Sequence, residues 1–294
     1  MLATFAALFI SAAATPDSVG TDSIRAMESR LAWQQGRVEI RDGLATLDIP
    51  AGFRYLDADA ARTVLVDLWG NPPQGAGETL GMIFPADVGP TDDGSWGVVI
   101  TYDEDGYVKD DEAAKMDYAK LLAEMQADTR DESEARERAG YGTMRLVGWA
   151  QPPRYDAAAH KLYWAKELDF GDGDEHTLNY NVRVLGRRGV LVLNAVSGMG
   201  DLPHVERGMA DVMTFVNFND GHRYADFDPR VDRVAAYGIA ALVAGKVAAK
   251  AGFFKVLLTA LVAAKKLVLV ALLGIIAIAK RLFGRKAETA AQAG

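Results

Sequence analysis

Apolar and polar positions follow the periods of strands and helices from about residue 37 to residue 216, and they predict one folded domain. Apolar residues on both sides of Asp42-Gly43 predict a β-hairpin over Arg37–Ile49. Asp57–Leu68 has the spacing of a short helix, and Leu80–Phe84 and Ser95–Tyr102 are typical of strands.

The next part of the pattern predicts a long helix and then a run of strands. Apolar residues at i, i+3, i+4 and i+7 predict a helix that begins near Asp111, and the charged run Asp128–Gly140 predicts its solvated extension. Gly186–Gly189 is a hairpin turn, and Asp201 is expected to cap a further amphipathic helix. Four strands are predicted, at Met144–Ala150, Lys161–Phe170, Leu178–Leu185 and Val190–Val196.

Successive strands with separate helices, rather than alternating βαβ units, predict the fold class. We expect an α+β domain with a mainly antiparallel sheet and packed helices, followed by a C-terminal membrane-associated helical tail. The pattern contains no internal repeat.

The N-terminus has the pattern of an export signal. An apolar run, Leu2–Ile10, precedes Ala12 and Ala14 in an A-x-A arrangement, which predicts a signal peptide over residues 1–14 and an exported domain over residues 15–228. The usual basic n-region is missing. An uncleaved apolar N-terminus and a true start further upstream are therefore the alternatives.

The C-terminal region predicts a membrane anchor at residues 256–286. The uncharged run Leu267–Ala279 would form a helix only about 20 Å long, whereas a bilayer core is about 30 Å thick. A span of about Ala260–Phe283 is long enough if Lys265 and Lys266 extend to the headgroups.

The sequence around this anchor leaves two arrangements open. Residues 229–255 predict an amphipathic helix at the interface, and residues 287–294 a short polar tail. A two-span hairpin of Val234–Phe254 with Leu257–Ala279 is the competing interpretation. A buried helix of a soluble domain is the third.

The net charge of −8 hides an uneven distribution. Residues 234–294 hold nine of the 32 Lys and Arg residues and one of the 40 acids, so this region carries +8 and the remainder −16. An acidic body argues against nucleic acid as a partner, whereas a cationic, apolar tail suits anionic lipid. The absence of cysteine from the sequence excludes disulfides and thiol catalysis.

Acidic segments come closest to a metal motif. Thr101–Glu112 matches the calcium-binding loop at several positions, but Thr101 stands where Asp is needed and a strand pattern precedes it. Asp226, Asp228 and Asp232 form a second group, and Asp172–His176 a third. Turns and helix ends explain the same residues, so we assign no catalytic, cofactor or metal residue, and no cofactor.

Other signals are weaker. Gly75, Gly77 and Gly81 depart from the dinucleotide fingerprint, and Ser197 lacks the glycines of a nucleophile elbow. The four histidines have no metal-ligand spacing; they are His160, His176, His204 and His222. The five tryptophans are expected in the core; they are Trp33, Trp69, Trp96, Trp149 and Trp164.

Several segments resemble the bacterial membrane-anchored proteins of domain-of-unknown-function family 2167. They are Leu146–Asp156, Leu178–Asn194, Asp228–Phe254 and the acidic Asp103–Glu112. The resemblance extends from about residue 30 to the tail. It implies a signal peptide, an exported domain and a C-terminal anchor, and it brings no established activity.

These observations favour a binding, sensing or scaffold/accessory protein. We expect it in the bacterial inner membrane, with its domain facing the periplasm, its tail in lipid and an envelope protein as partner. A metal-dependent hydrolase that uses the acidic clusters is one alternative. A protein whose tail drives membrane assembly or assists transport is the other.

Overall fold

Ten strands form two antiparallel sheets in the computed structural model, which describes residues 21–71, 73, 76–138, 142–171 and 175–245. The strands are β1 (Gly36–Ile40), β2 (Ala45–Ile49), β3 (Phe53–Asp57), β4 (Thr79–Pro85), β5 (Gly97–Asp103), β6 (Arg145–Asp156), β7 (Lys161–Asp169), β8 (Thr177–Leu185), β9 (Val190–Gly198) and β10 (Val216–Phe218). The helices are α1 (Thr21–Glu28), α2 (Ala58–Thr63), α3 (Tyr118–Arg138), α4 (Leu202–Phe215) and α5 (Ile239–Ala244). The expected α+β class with mainly antiparallel sheets is confirmed.

The larger sheet has the strand order β3-β4-β5-β9-β8-β7-β6, and the smaller one β1-β2-β10. The predicted hairpin at Asp42-Gly43 joins β1 to β2, with Arg41, Asp42 and Gly43 all at positive φ. At the far edge, β6 passes through Pro152-Pro153 with register shifts against β7. Proline is tolerated there because an edge strand has one unpaired side.

The two faces of the seven-stranded sheet are packed differently. On the first face, apolar side chains such as Tyr180, Val182 and Leu193 meet the smaller sheet and α4 in one continuous core. On the second face, α2 packs on β3 and β4 while α3 packs on β6. These helices cover two separate apolar clusters, one around Trp164 and α5, the other around Phe84 and α2.

The predicted start of the long helix and the predicted cap of α4 differ from the structure for local reasons. The long helix begins at Tyr118 rather than near Asp111, because the Asp117 carboxylate accepts hydrogen bonds from the amides of Ala119 and Lys120 at 3.1 and 3.0 Å. Its charged C-terminal part is largely exposed, as predicted. Asp201 precedes α4, but its carboxylate accepts the Ser197 hydroxyl at 2.9 Å instead of capping the helix.

The domain extends past the predicted boundary at residue 228. Residues 229–238, expected to begin an interfacial helix, form a turn, an isolated β-bridge between Val234 and Tyr107 and a bend, and the short helix α5 follows. In α5, Ile239, Leu242 and Val243 are buried in the cluster around Trp164. The predicted signal peptide at 1–14, anchor at 256–286 and polar tail at 287–294 lie outside the described residues.

Helix length and hydropathy bear on the membrane predictions. Within the part of the chain that the structure describes, no helix is both long and apolar enough to cross a membrane.

Candidate functional site

The first acidic segment, Thr101–Glu112, forms hydrogen bonds that hold the C-terminal end of the domain in place. Asp103 is buried at the end of β5, and the Asp105 carboxylate accepts a hydrogen bond from the Tyr237 hydroxyl at 2.9 Å. Asp110 accepts one from the Tyr155 hydroxyl at 2.6 Å. These contacts are made with tyrosines from distant parts of the sequence, in place of the successive loop ligands of a calcium site.

The second acidic group is paired with arginines. Asp232 accepts hydrogen bonds from Nε of Arg187 at 2.6 Å and Nε of Arg188 at 2.7 Å, and its side chain has no exposed surface. The Arg187 bond is the main cause that holds the pKa of Asp232 well below its ordinary value. Asp228 pairs with Arg230 at 2.7 Å. Among the described residues no group of three or more His, Asp or Glu side chains could hold a metal ion.

The two acidic segments meet at one end of the domain. The backbone of Tyr107 exchanges 2.8 Å hydrogen bonds with Arg233 and Ala235. The Tyr107 ring stacks between Phe227 and Tyr224, at centroid distances of 4.0 and 4.3 Å. The His160 ring lies against the other side of Tyr224 at 4.1 Å. Together these contacts fasten the segment before α5 to the loop after β5.

The remaining sequence candidates are dispersed. His176 pairs with Glu167, His204 is exposed on α4, and Ser197 is a buried residue near the end of β9. Gly81 lies inside β4 rather than in a phosphate loop. Asp172–Asp174 and Gly75 lie outside the described residues. Of the tryptophans, Trp69, Trp96 and Trp164 are buried, whereas Trp33 and Trp149 keep part of their surface exposed.

A different set of residues is unusual because its polar side chains lie in the middle of the large sheet. Polar side chains occupy the second face of β7, β8 and β9, in the centre of the large sheet between the two apolar clusters. Cross-strand partners share a face, and the register pairs Lys166 with Asn179 and Asn181 with Asn194. Arg183 follows Asn181 on the same face of β8. We call these five residues the polar strip.

Hydrogen bonds along β8 hold the centre of the polar strip in place. The Asn181 amide donates to the backbone and side-chain oxygens of Asn179, both at 2.8 Å. Arg183 donates to the Val182 carbonyl at 3.1 Å and to Oδ1 of Asn194 at 3.2 Å. Its guanidinium lies over the Trp164 ring, 4.8 Å from the centroid.

The two cations of the polar strip lack carboxylate partners at close range. Neither Lys166 nor Arg183 forms an ion pair within 4 Å in the described part of the chain. Burial lowers the pKa of Lys166 to about 8, assisted by the charge of Arg183 and opposed by Glu132. Burial likewise lowers the pKa of Arg183 to about 10, and Asp103 opposes it.

The strip combines deep burial with an opening to solvent. Asn179, Asn181 and Arg183 are 4, 2 and 9% exposed, whereas Lys166 and Asn194 keep more of their surface exposed. On the same face, Nε1 of the buried Trp164 has no hydrogen-bond partner in the described part of the chain. The strip therefore has two positive charges without a close carboxylate beside a buried donor that lacks a partner, a set that suits an anion.

The polar strip was not predicted from the sequence. Alternation in β8 marks Leu178, Tyr180 and Val182 as the apolar face, and polar residues between them are ordinarily solvated in an antiparallel sheet. The sequence signal that could have indicated burial of these residues was the position of β8 between other predicted strands. A strand in the centre of a sheet can be covered on both faces, and its polar positions are then buried as well.

Comparisons with known proteins give a family and one distant structural likeness. A family model described as "Protein of unknown function (DUF2167)" matches residues 32–277, which confirms the resemblance drawn from the sequence. No curated protein matches the chain. Among solved structures, the chain is similar to "Solution Structure of Cyanobacterial PsbP (CyanoP) from Synechocystis sp. PCC 6803", with 11% identity, 64% of this chain and 94% of that chain covered, and a TM-score of 0.33.

A TM-score of 0.33 is too low to transfer any property from that structure. The family match, in contrast, covers most of the sequence, from just before β1 to beyond α5. The chain therefore belongs to the DUF2167 family of proteins of unknown function.

Proposed function

We propose that this chain is an exported, membrane-anchored binding protein whose domain takes up a small anion on the polar strip. The observation that carries the proposal is the pair of cations, Lys166 and Arg183, on a largely buried face without a carboxylate within 4 Å in the described residues. Strongly perturbed charges of this kind concentrate at functional sites.

Physical chemistry favours an anionic ligand. A buried charge is costly unless a partner of opposite sign or several hydrogen bonds compensate it. Arg183 has only neutral acceptors in its hydrogen bonds, and Lys166 has no hydrogen bond to a described residue. A carboxylate or phosphate bound between them would relieve both charges at once. The partly exposed Lys166 gives such a ligand a way in.

The export and anchoring parts of the proposal are supported by the two ends of the sequence. Residues 1–14 have the apolar run and A-x-A pattern of a signal peptide, and residues 256–286 combine a long apolar stretch with flanking lysines and arginines. We place the domain on the periplasmic side of a bacterial inner membrane. Its partners would be lipid around the tail and an envelope protein that senses the bound ligand.

Calorimetric titration of the full-length protein in a mild detergent tests the ligand. Phosphate, sulfate, acetate and succinate are titrated separately, which distinguishes phosphate-like from carboxylate ligands. We expect at least one anion to bind. The Lys166→Met and Arg183→Met variants should weaken binding by about tenfold or more, because each removes a charge-assisted contact. Lys115→Met is the matched control, because Lys115 is exposed. If none of the four anions binds, or if all three variants bind alike, the proposal fails.

Paired reporters test the topology. One reporter fluoresces only in the cytoplasm and the other is active only after export, and each is fused after Gly245 or after Lys286. The proposal requires an exported signal at Gly245 and a cytoplasmic signal at Lys286, with the protein resisting alkaline extraction. Cytoplasmic signals at both positions would refute export.

A further inference from the structure

A cleft of about 420 Å³ lies beside α1, away from the residues of the polar strip. Its volume is within the range of about 300–1,000 Å³ that small-molecule sites occupy. The wall is formed by the end of α1 and the residue that follows it, a tryptophan before β1, an arginine of β3 and the loop after β4. The charged and aromatic residues of this wall are Arg25, Glu28, Trp33, Arg54, Asp87 and Asp92.

Arg54 is the best-fixed residue of the cleft. Its guanidinium stacks 3.6 Å from the centroid of Trp33, whose own ring meets the edge of Phe84 at 5.6 Å. Nη2 of Arg54 donates to the Val88 carbonyl at 2.6 Å. Nε of Arg54 is buried and has no hydrogen-bond partner in the described part of the chain. That nitrogen has almost no accessible surface, so a ligand would pair with the partly exposed remainder of this fixed guanidinium, a group that suits a carboxylate.

Two of the three acids in the cleft accept hydrogen bonds from the loop after β4, and these bonds leave their negative charges in place. Glu28 accepts both the amide and the hydroxyl of Thr91, at 3.1 and 2.6 Å. Asp92 accepts the amide of Gly89 at 2.5 Å. Asp87, in contrast, makes no hydrogen bond or close ion pair with any described residue, although its charge acts on Arg54 at longer range.

Charges of both signs are therefore available in one small cleft. The exposed side chain of Arg25 also makes no hydrogen bond or ion pair with a described residue, so the cationic side consists of Arg25 and the partly exposed guanidinium of Arg54. Asp87 provides the anionic side. A ligand with charge of one sign would be attracted by one group and repelled by the other. A zwitterion can place its negative group beside the arginines and its positive group beside Asp87.

We infer that this cleft is a second binding site, independent of the polar strip, and that its ligand is a free α-amino acid. The ligand carboxylate pairs with Arg25 and Arg54, and its ammonium group pairs with Asp87. The space beyond these charged groups receives the side chain.

Calorimetric titration of the full-length protein in detergent tests this inference with glycine, L-alanine and a dialanine peptide, and with acetate and methylammonium as single-charge probes. We expect the amino acids to bind about tenfold or more tightly than either single-charge probe. Dialanine separates a free amino acid from a peptide, because its two charged termini lie further apart; equal or tighter binding of the peptide would overturn the assigned ligand.

Asp87→Asn is the main variant, because Asp87 is exposed and its loss should leave the fold intact. We expect about a tenfold loss of amino-acid affinity. The control is Asp93→Asn, an exposed neighbour outside the cleft wall. Lys166→Met should bind amino acids like the wild type, which separates this site from the polar strip. Absence of amino-acid binding, or equal affinity in the Asp87 and Asp93 variants, would overturn the inference.

Discussion

Replacing Lys166 by methionine should stabilise the domain while weakening its affinity for anions. Methionine keeps much of the length of the side chain and removes the charge. Lys166 donates no hydrogen bond to a described residue, so the substitution leaves no described acceptor unpaired. A lysine with a purely structural role would give the opposite sign, because its loss would destabilise the fold.

The expected magnitude follows from the pKa of this lysine. A lowering from 10.5 to about 8 corresponds to about 3–4 kcal/mol of unfavourable free energy for the charged form at neutral pH, at about 1.4 kcal/mol for each pKa unit. Part of the side chain is exposed, and solvent screening reduces this figure. We therefore expect Lys166→Met to raise the free energy of unfolding by about 1–2 kcal/mol at pH 7.

The pH dependence provides an independent check. Between pH 8 and pH 10.5 the unfolded chain binds more protons at Lys166 than the folded chain does. Stability of the wild type must then rise with pH over that window through this residue, and the methionine variant lacks the rise. The advantage of the variant should be complete below pH 8 and shrink towards zero as pH approaches 10.5.

Urea denaturation of the full-length protein in detergent, followed by tryptophan fluorescence at pH 7 and pH 9.5, measures both effects. Lys115→Met is the control, and its stability should differ little from the wild type at either pH because Lys115 is exposed. A Lys166→Met variant that is less stable than the wild type at pH 7 would refute the reasoning. An advantage that does not decrease at pH 9.5 would also refute it.

Three further substitutions test packing and pairing elsewhere. Gly208→Ala should destabilise the domain by about 1–3 kcal/mol, because an added Cβ would lie 2.4 Å from the Trp96 ring; thermal denaturation measures this. Asp232 stabilises the wild type above the pKa of an unfolded aspartate, and this stabilisation is lost as pH falls. Asp232→Asn should remove it, and melting temperatures measured across the acid range would reveal the loss. Tyr224→Phe should cost about 1–2 kcal/mol, because the Val108 carbonyl loses its buried 3.0 Å hydrogen bond; urea denaturation measures it.

Each of these substitutions has a direct control or contrary result. Gly200→Ala is the glycine control, since no atom lies within 4 Å of its added Cβ, and equal effects at the two glycines would contradict the packing argument. For Asp232, identical acid profiles of variant and wild type would contradict the arginine pairing. For Tyr224, unchanged stability would show that the Val108 bond contributes nothing.

Hydrophobic periodicity predicts those elements whose surroundings are simple. The hairpin at Asp42-Gly43 and strands β7–β9 were predictable because turn residues and alternation are local properties. The start of α3 was not, because a run of acids is compatible with both a loop and a first helical turn. The side chain of Asp117 decides between them.

The polar strip shows a different limit. Alternation in β8 indicates that one face is apolar, but it carries no information on what covers the other face. That depends on the strand order and on helices that are distant in the sequence. Asn181 and Arg183 consequently resemble solvated residues in the sequence, and only the fold shows them to be buried. The cleft around Arg54 is similar, because its wall combines residues from 25 to 92.

The packing of α5 also has a consequence for biogenesis. Ile239, Leu242 and Val243 complete a cluster whose other members include residues of α3 and of β6 to β9, so this part of the core closes only after nearly all of the domain has been synthesised. If residues 256–286 enter the membrane, about a dozen residues separate that event from the last core side chain. Final folding of the domain and membrane insertion would then occur at nearly the same moment and place. A secreted fragment ending at residue 228 would lack α5 and expose the apolar surface that α5 covers.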